Sequence, residues 1–112
     1  MTSTDRNTAE DSTEPTWVVY VIRCRDGTLY TGITTDVGRR FSEHVEGGPK
    51  GARYLKGRGL LQLEFQREVG NRSKALQIEY RVKSLSRSGK ERLLRDTAFF
   101  DEVARRVNSA PP

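Results

Sequence analysis

Cysteine occurs once in this chain of 112 residues, at Cys24, so neither an internal disulfide nor a thiolate metal cluster is available to it. Cys24 lies in an apolar, strand-like run, where a buried and inert thiol is expected. Long apolar runs are absent too. No stretch approaches the roughly 18 apolar residues of a membrane span, and the N-terminus lacks the basic and apolar regions of a signal peptide. The expectation is a cytoplasmic protein with no membrane partner. Hydrophobic residues make up only 34% of the chain, low enough that part of it is expected to stay outside the core. No internal repeat is visible, and no helix-turn-helix or zinc finger is present to read bases in a groove.

The residues outside the core are easy to locate. Residues 1–15 hold no large apolar side chain after Met1 and are rich in Thr, Asp and Glu. Such a segment cannot bury enough apolar surface to offset its ordering entropy, so it reads as a disordered acidic tail. It carries four acids (Asp5, Glu10, Asp11, Glu14) and one base (Arg6). With 20 bases and 15 acids in the whole chain, residues 16–112 keep 19 bases and 11 acids, a net of +8. A basic domain of this size favours a polyanionic partner, most often nucleic acid.

After Pro15 the character changes. Trp17 to Ile22 is a β-branched and aromatic run, the pattern of a largely buried strand. Asp26-Gly27 signals a hairpin turn, and Thr28 to Ile33 reads as the returning strand. Asp36 is placed to cap a helix reaching about Glu46, which Gly47-Gly48 stops. Residues 49–59 are basic and punctuated by glycine, a loop holding a short helix. Leu60 to Val69 alternates, with Leu61, Leu63 and Phe65 apolar, as a third strand. Asn71 or Ser73 then caps a helix to about Ser86 with Leu76, Ile78, Tyr80, Val82 and Leu85 as its apolar positions. Ser88 and Glu91 have the spacing of a capping box for a short helix to about Arg95. A last helix, Ala98 to about Val107, buries Phe99, Phe100 and Val103. The order predicts an α/β fold on a small, three-stranded, mainly antiparallel sheet flanked by helices. The expected organisation is the tail, a domain over 16–96 and a C-terminal helical extension over 97–112.

Within that frame the chemistry-bearing residues recur as Tyr20, then Tyr30-Thr31-Gly32, then Arg40 and His44 on the first helix, then Glu79 on the second long one. The pattern Tyr-x9-Tyr-x-Gly-x7-Arg-x3-His, followed by a helical Glu, resembles the GIY-YIG nuclease family over roughly residues 17–95. Its likeness is greatest to the small stand-alone members of the UPF0213 kind. Val18-Val19 stands where the family's first motif has Gly-Ile, and Thr31 where the second has Ile. Both differences sit on strand positions and leave the tyrosines and Gly32 in place.

The resemblance implies a metal-dependent endonuclease with Tyr20, Tyr30, Arg40, His44 and Glu79 as its catalytic group. Glu79 would be the ligand of Mg²⁺ or Mn²⁺, since a hard cation takes carboxylate oxygen and keeps several waters. Read alone, Glu79 and Lys83 are an ordinary i,i+4 helix pair. Arg40 has the planar fork that suits a scissile phosphate, and His44, four residues on, shares its helix face. Tyr20, Tyr30 and His44 all remain open as the general base. Gly32, a glycine inside a strand, would let a phosphate or another backbone approach closely. Arg39, Lys50, Arg53, Lys56, Arg58, Lys74 and Lys83 could line a groove for a sugar–phosphate backbone, giving salt-dependent affinity without sequence readout. Tyr54, set among them, is a candidate for stacking on a base. The expected partner is DNA, with RNA left open, and neither a protein partner nor a homodimer is specified. A binding module of the same fold that does not cut is the alternative.

Overall fold

A computed structural model describes residues 15–55, 59 and 61–108. Most of the acidic N-terminal segment, Lys56 and Arg58 lie outside the described residues, as does the side chain of Tyr54. Three strands form one antiparallel sheet: β1 (Trp17–Cys24), β2 (Leu29–Thr34) and β3 (Leu61–Gly70), in the order β2-β1-β3. Helix α1 (Val37–Glu46) follows β2, and a 3₁₀ turn (Arg53–Leu55) precedes β3. Helices α2 (Arg72–Lys83), α3 (Arg87–Arg95) and α4 (Thr97–Asn108) follow β3. This is the α/β architecture that the order of elements predicts.

The central strand explains the two-sided core. Successive side chains of a strand point to opposite faces, and β1 is buried on both. Val19 faces a cluster with Ile78, Val82, Leu93, Phe100 and Val107, contributed by α2, α3 and α4. Tyr20, Ile22 and Cys24 face Leu55, with Tyr30, Phe41 and Leu63 packed around them. The alternation of β3 suggests that Leu61, Leu63 and Phe65 share one face, but they do not. Ile22 pairs with Leu63 while Val21 pairs with Phe65, so a bulge at Glu64 shifts the register by one residue. Such a shift exchanges the faces of everything beyond it. Leu61 and Leu63 therefore join the Tyr20 side, and Phe65 reaches Phe100 on the other, ring centroids 5.0 Å apart.

The helix caps follow local chemistry. Asp36 accepts from the Arg39 N–H, and Gly47 closes α1 in the left-handed region at φ 71°. Asn71, not Ser73, caps α2. The cap of α3 is Ser86 rather than Ser88: Ser86 Oγ accepts from the Gly89 N–H at 3.1 Å, and Glu91 is drawn away to Arg23. Along α2 the buried stripe is Ala75, Ile78 and Val82, whereas Leu76 and Tyr80 are exposed, contrary to the sequence expectation. The 3.6-residue period permits either row to face inward, and the small Ala75 lets the helix approach the sheet along the first.

Arg23 ties three elements together. Its fork meets Glu91 of α3 at 3.0 and 2.8 Å, its Nε lies 3.3 Å from Glu64 of β3, and Arg87 beside Glu91 donates to the Gly27 carbonyl at 2.7 Å. The hydrogen bonds from Arg23, with further help from Arg87, hold the Glu91 carboxyl down from 4.5 to about 2. A depressed carboxyl stabilises the fold above its unfolded value, and that stability is lost as pH falls from about 4.5 towards about 2. Glu91→Gln is expected to cost about 1–2 kcal/mol at neutral pH and to flatten this acid limb in urea titrations. An unchanged acid limb in Glu91→Gln would show that other carboxyls control it.

Candidate active site

Tyr20, Tyr30, Arg40 and His44 meet on the α1 face of the sheet. Tyr20 is paired directly with Gly32 across the β1–β2 ladder, and Ile22 with Tyr30, so both tyrosines lie on one face two positions apart. Helix α1 crosses that face and delivers Arg40 and His44 from one side of its own cylinder. The three rings form a triangle. Centroids of Tyr20 and Tyr30 are 6.3 Å apart, Tyr20 and His44 6.0 Å, and Tyr30 and His44 5.6 Å in an edge-on arrangement.

Gly32 has a specific reason to be glycine. A Cβ built there would stand 2.4 Å from Tyr20 Oη and 2.5 Å from its Cζ. The close approach anticipated at this strand glycine is made by the Tyr20 phenol, which occupies the space above the Gly32 backbone.

The hydrogen bonds of His44 define its tautomer. The Ala52 N–H donates to Nδ1 at 3.1 Å, which leaves Nδ1 without a proton. The neutral ring then carries its proton on Nε2 and donates it to Tyr20 Oη at 2.9 Å. Burial and the nearby Arg40 charge both hold the His44 pKa below its ordinary value. His44 thus enters the site as a neutral donor to Tyr20, not as a second cation beside Arg40. Charging it would place a proton on Nδ1 and set it against the Ala52 N–H.

Tyr20 is the acceptor at the centre. Burial pushes its pKa well above the usual tyrosine range, with Tyr30 adding to the rise, while the Arg40 charge and hydrogen bond pull the other way. Arg40 is itself held by Glu43 at 2.8 Å and by the Lys50 carbonyl. The segment from Gly48 to Ala52 is thereby clasped to α1 through both Arg40 and His44. Gly51 permits the clasp, since a Cβ there would come within 2.9 Å of the Glu43 carbonyl oxygen. Glu43, Gly51 and Ala52 were not apparent in the sequence. The Ala52 contribution is a backbone N–H, which carries no signature in residue type.

The remaining candidates are distributed around this group. Arg39 on α1, Lys50 on the clasped segment and Arg53 at the start of the 3₁₀ turn are exposed, and Arg39 pairs with Glu43 at 3.2 Å. Glu79 lies on α2, half-buried at the border of the Ala75, Ile78 and Val82 stripe, and its carboxylate is bridged to the exposed Lys83 at 3.3 Å. Its helix packs on the Val19 side of the sheet through Ile78 and Val82, whereas Tyr20 and Tyr30 belong to the cluster on the other side. Among the described residues no three His, Cys, Asp or Glu side chains gather into a group able to hold a metal by themselves. A hard divalent cation can nevertheless bind through one carboxylate and complete its shell with water and phosphate oxygens. Glu79 fits that demand, with Lys83 as the group to be displaced.

Two tyrosines on adjacent strands meet a helical Arg–His pair in a nuclease-type fold, and residues 16–92 match the family described as the GIY-YIG catalytic domain. The chain belongs to that family. More particularly, it is similar to UPF0213 proteins. The UPF0213 protein Ent638_3592 of Enterobacter sp. (strain 638) is 48% identical over 95 residues, covering 85% of this chain and 91% of that protein. The UPF0213 protein YhbQ of Escherichia coli O127:H6 is 54% identical over 87 residues, covering 78% and 85%. The solution NMR structure of the UPF0213 protein BH0048 from Bacillus halodurans matches at 44% identity over 70% of this chain and 82% of that one, with a TM-score of 0.47. Among the described residues no helix is long and apolar enough to cross a membrane.

Proposed function

We propose that this protein is a metal-dependent endonuclease that hydrolyses phosphodiester bonds in DNA, preferring single-stranded or structured substrates over any sequence, in DNA repair or processing. The observation that carries the reading is the buried hydrogen-bond chain from the Ala52 N–H through His44 to Tyr20, set beside Arg40. Two donors, His44 Nε2–H and the Arg40 guanidinium, favour the ionised phenol against the cost of burying it. Because burial keeps the Tyr20 pKa above the ordinary tyrosine value, only a small fraction is ionised at neutral pH, and that phenolate is the strong base that would take up the water's proton. Tyr20 is accordingly assigned as the group that accepts a proton from the attacking water. Arg40 neutralises charge on the phosphoryl oxygens, and the exposed Arg39, Lys50, Arg53 and Lys83 hold the flanking phosphates. Mg²⁺ or Mn²⁺ held at Glu79 would supply further charge neutralisation at the phosphate and the leaving oxygen. Low sequence preference follows from contacts that reach the backbone rather than base edges.

The test is cleavage of labelled single-stranded, flapped and duplex DNA, with an RNA strand of the same sequence, in Mg²⁺ or Mn²⁺ and in EDTA. Wild-type protein is expected to cut in metal alone, and Glu79→Ala to lose at least about 100-fold in rate, the scale of removing one transition-state electrostatic contact. Binding without product above the Glu79→Ala background would instead make the chain a nucleic-acid-binding module of this fold.

A further inference from the structure

Tyr80 is the most exposed of the large hydrophobic residues in the described structure, at 72%, and Leu76 one turn earlier is exposed at 39%. Neither serves the core of α2, which is built on Ala75, Ile78 and Val82. Their place on the helix is informative. At about 100° per residue, Glu79 borders the buried stripe, Leu76 and Lys83 come next, and Tyr80 lies beyond them. The exposures follow the same order, from half-buried Glu79 outward to Tyr80. Past Tyr80 the surface becomes concave. Leu76, Gln77, Tyr80 and Arg81 line an open groove of about 490 Å³ that ends against Val107 of α4. An aromatic wall, an apolar floor, a guanidinium and an amide therefore line a groove on the solvent side of α2, with Tyr80 at its near edge about 100° round the helix from Glu79.

We propose that this groove is a nucleobase subsite, in which an unpaired base of the bound strand stacks on Tyr80 above Leu76. Arg81 faces the phosphate of that nucleotide, and Gln77 offers one donor and one acceptor to the base edge. Every base has a π-face, so stacking of this kind tolerates any sequence, while a base held in a duplex cannot present its face to the tyrosine. The groove would thus select for unpaired nucleotides without reading their identity. Lys83, between Tyr80 and Glu79 on the helix surface, carries positive charge along the path from the stacked base to the carboxylate. The substrate of the subsite rests on the nuclease reading, but binding and cutting are measured separately and fail separately.

The first measurement uses the full chain in EDTA and an oligo-dT strand, by fluorescence anisotropy. Tyr80→Ala is expected to weaken binding about 5- to 150-fold, the range of one base–aromatic stack, and Tyr80→Trp to retain it. Binding of a duplex should be the same in all three proteins. Because Tyr80 is exposed, the melting curves should coincide, which separates recognition from folding. In Mg²⁺, an abasic residue at one fixed distance from the cut should slow wild-type cleavage and have no added effect in Tyr80→Ala. Equal single-strand binding by wild type and Tyr80→Ala would overturn the subsite, as would an equal loss on duplex, even if Glu79-dependent cleavage stands. Tyr80-dependent binding with no cleavage in any metal would keep the subsite and remove the nuclease reading.

Discussion

Gly32→Ala is expected to lower stability by about 1–3 kcal/mol, the usual cost of overpacking a well-filled site, and to abolish most cleavage in the same step. The added methyl would overlap the phenol end of Tyr20, at 2.4 and 2.5 Å. A long side chain can often swing clear of such a clash, but Tyr20 is 2% exposed, packed against Ile22 and Leu55, and hydrogen-bonded to His44. Relief must come from moving the ring off His44 or prising β1 from β2. Either movement breaks the hydrogen-bond chain that carries the proposed chemistry. Urea unfolding reads the first effect. The ¹⁵N shifts of the His44 ring read the second, because losing Tyr20 as acceptor changes Nε2 while Nδ1 stays on Ala52. A Gly32→Ala protein with native stability and an unchanged imidazole signal would mean that the ring has more freedom than its packing allows.

Tyr20→Phe is the sharper chemical test. It keeps the ring in place and removes only the oxygen, leaving the His44 Nε2–H without its buried acceptor. A loss of about 1–2 kcal/mol in stability is expected from that orphaned donor. The cleavage rate should fall by about 10²- to 10⁴-fold, the contribution of a positioned general base. The pH profile separates the two effects. Burial and Tyr30 hold the Tyr20 proton above the ordinary value of 10.0, so the reactive phenolate fraction keeps growing as pH rises, and the wild-type rate should climb through pH 9 to 10 without levelling. His44 is held below 6.5 by burial and by Arg40, so its protonation should disturb the site only on the acid side of that value. In Tyr20→Phe the alkaline climb should vanish. A wild-type rate with the same climb would transfer the base role to Tyr30.

Much of this architecture is legible in the sequence. The hairpin announced itself through Asp26-Gly27 between two β-branched runs, and α1 through Asp36 and Gly47, because these signals depend on neighbours within a few residues. The spacing from Tyr20 to His44 was readable for the same reason: a strand pair and the helix after it leave little freedom in where those side chains fall. The sequence points to Ser88 as the α3 cap because Glu91 is spaced as its partner, but Arg23, 68 residues away, claims that carboxylate. Leu76 and Tyr80 read as inward-facing because apolar residues at helical spacing look alike in a sequence, whichever row meets the sheet.

By itself, then, the sequence determined the strands, the helices, the basic surface and the identity of the residues that meet at the site. The strands, helices and basic surface follow from propensity, periodicity and composition, all of which are local, whereas the site residues are what the resemblance to the GIY-YIG family implies. Only the tertiary structure decided that β3 changes faces at Glu64, that Gly32 makes room for Tyr20, and that His44 is a neutral donor. It alone left Tyr80 standing in solvent beside Glu79. Each of those outcomes depends on which groups from distant parts of the chain compete for the same space, hydrogen bond or charge.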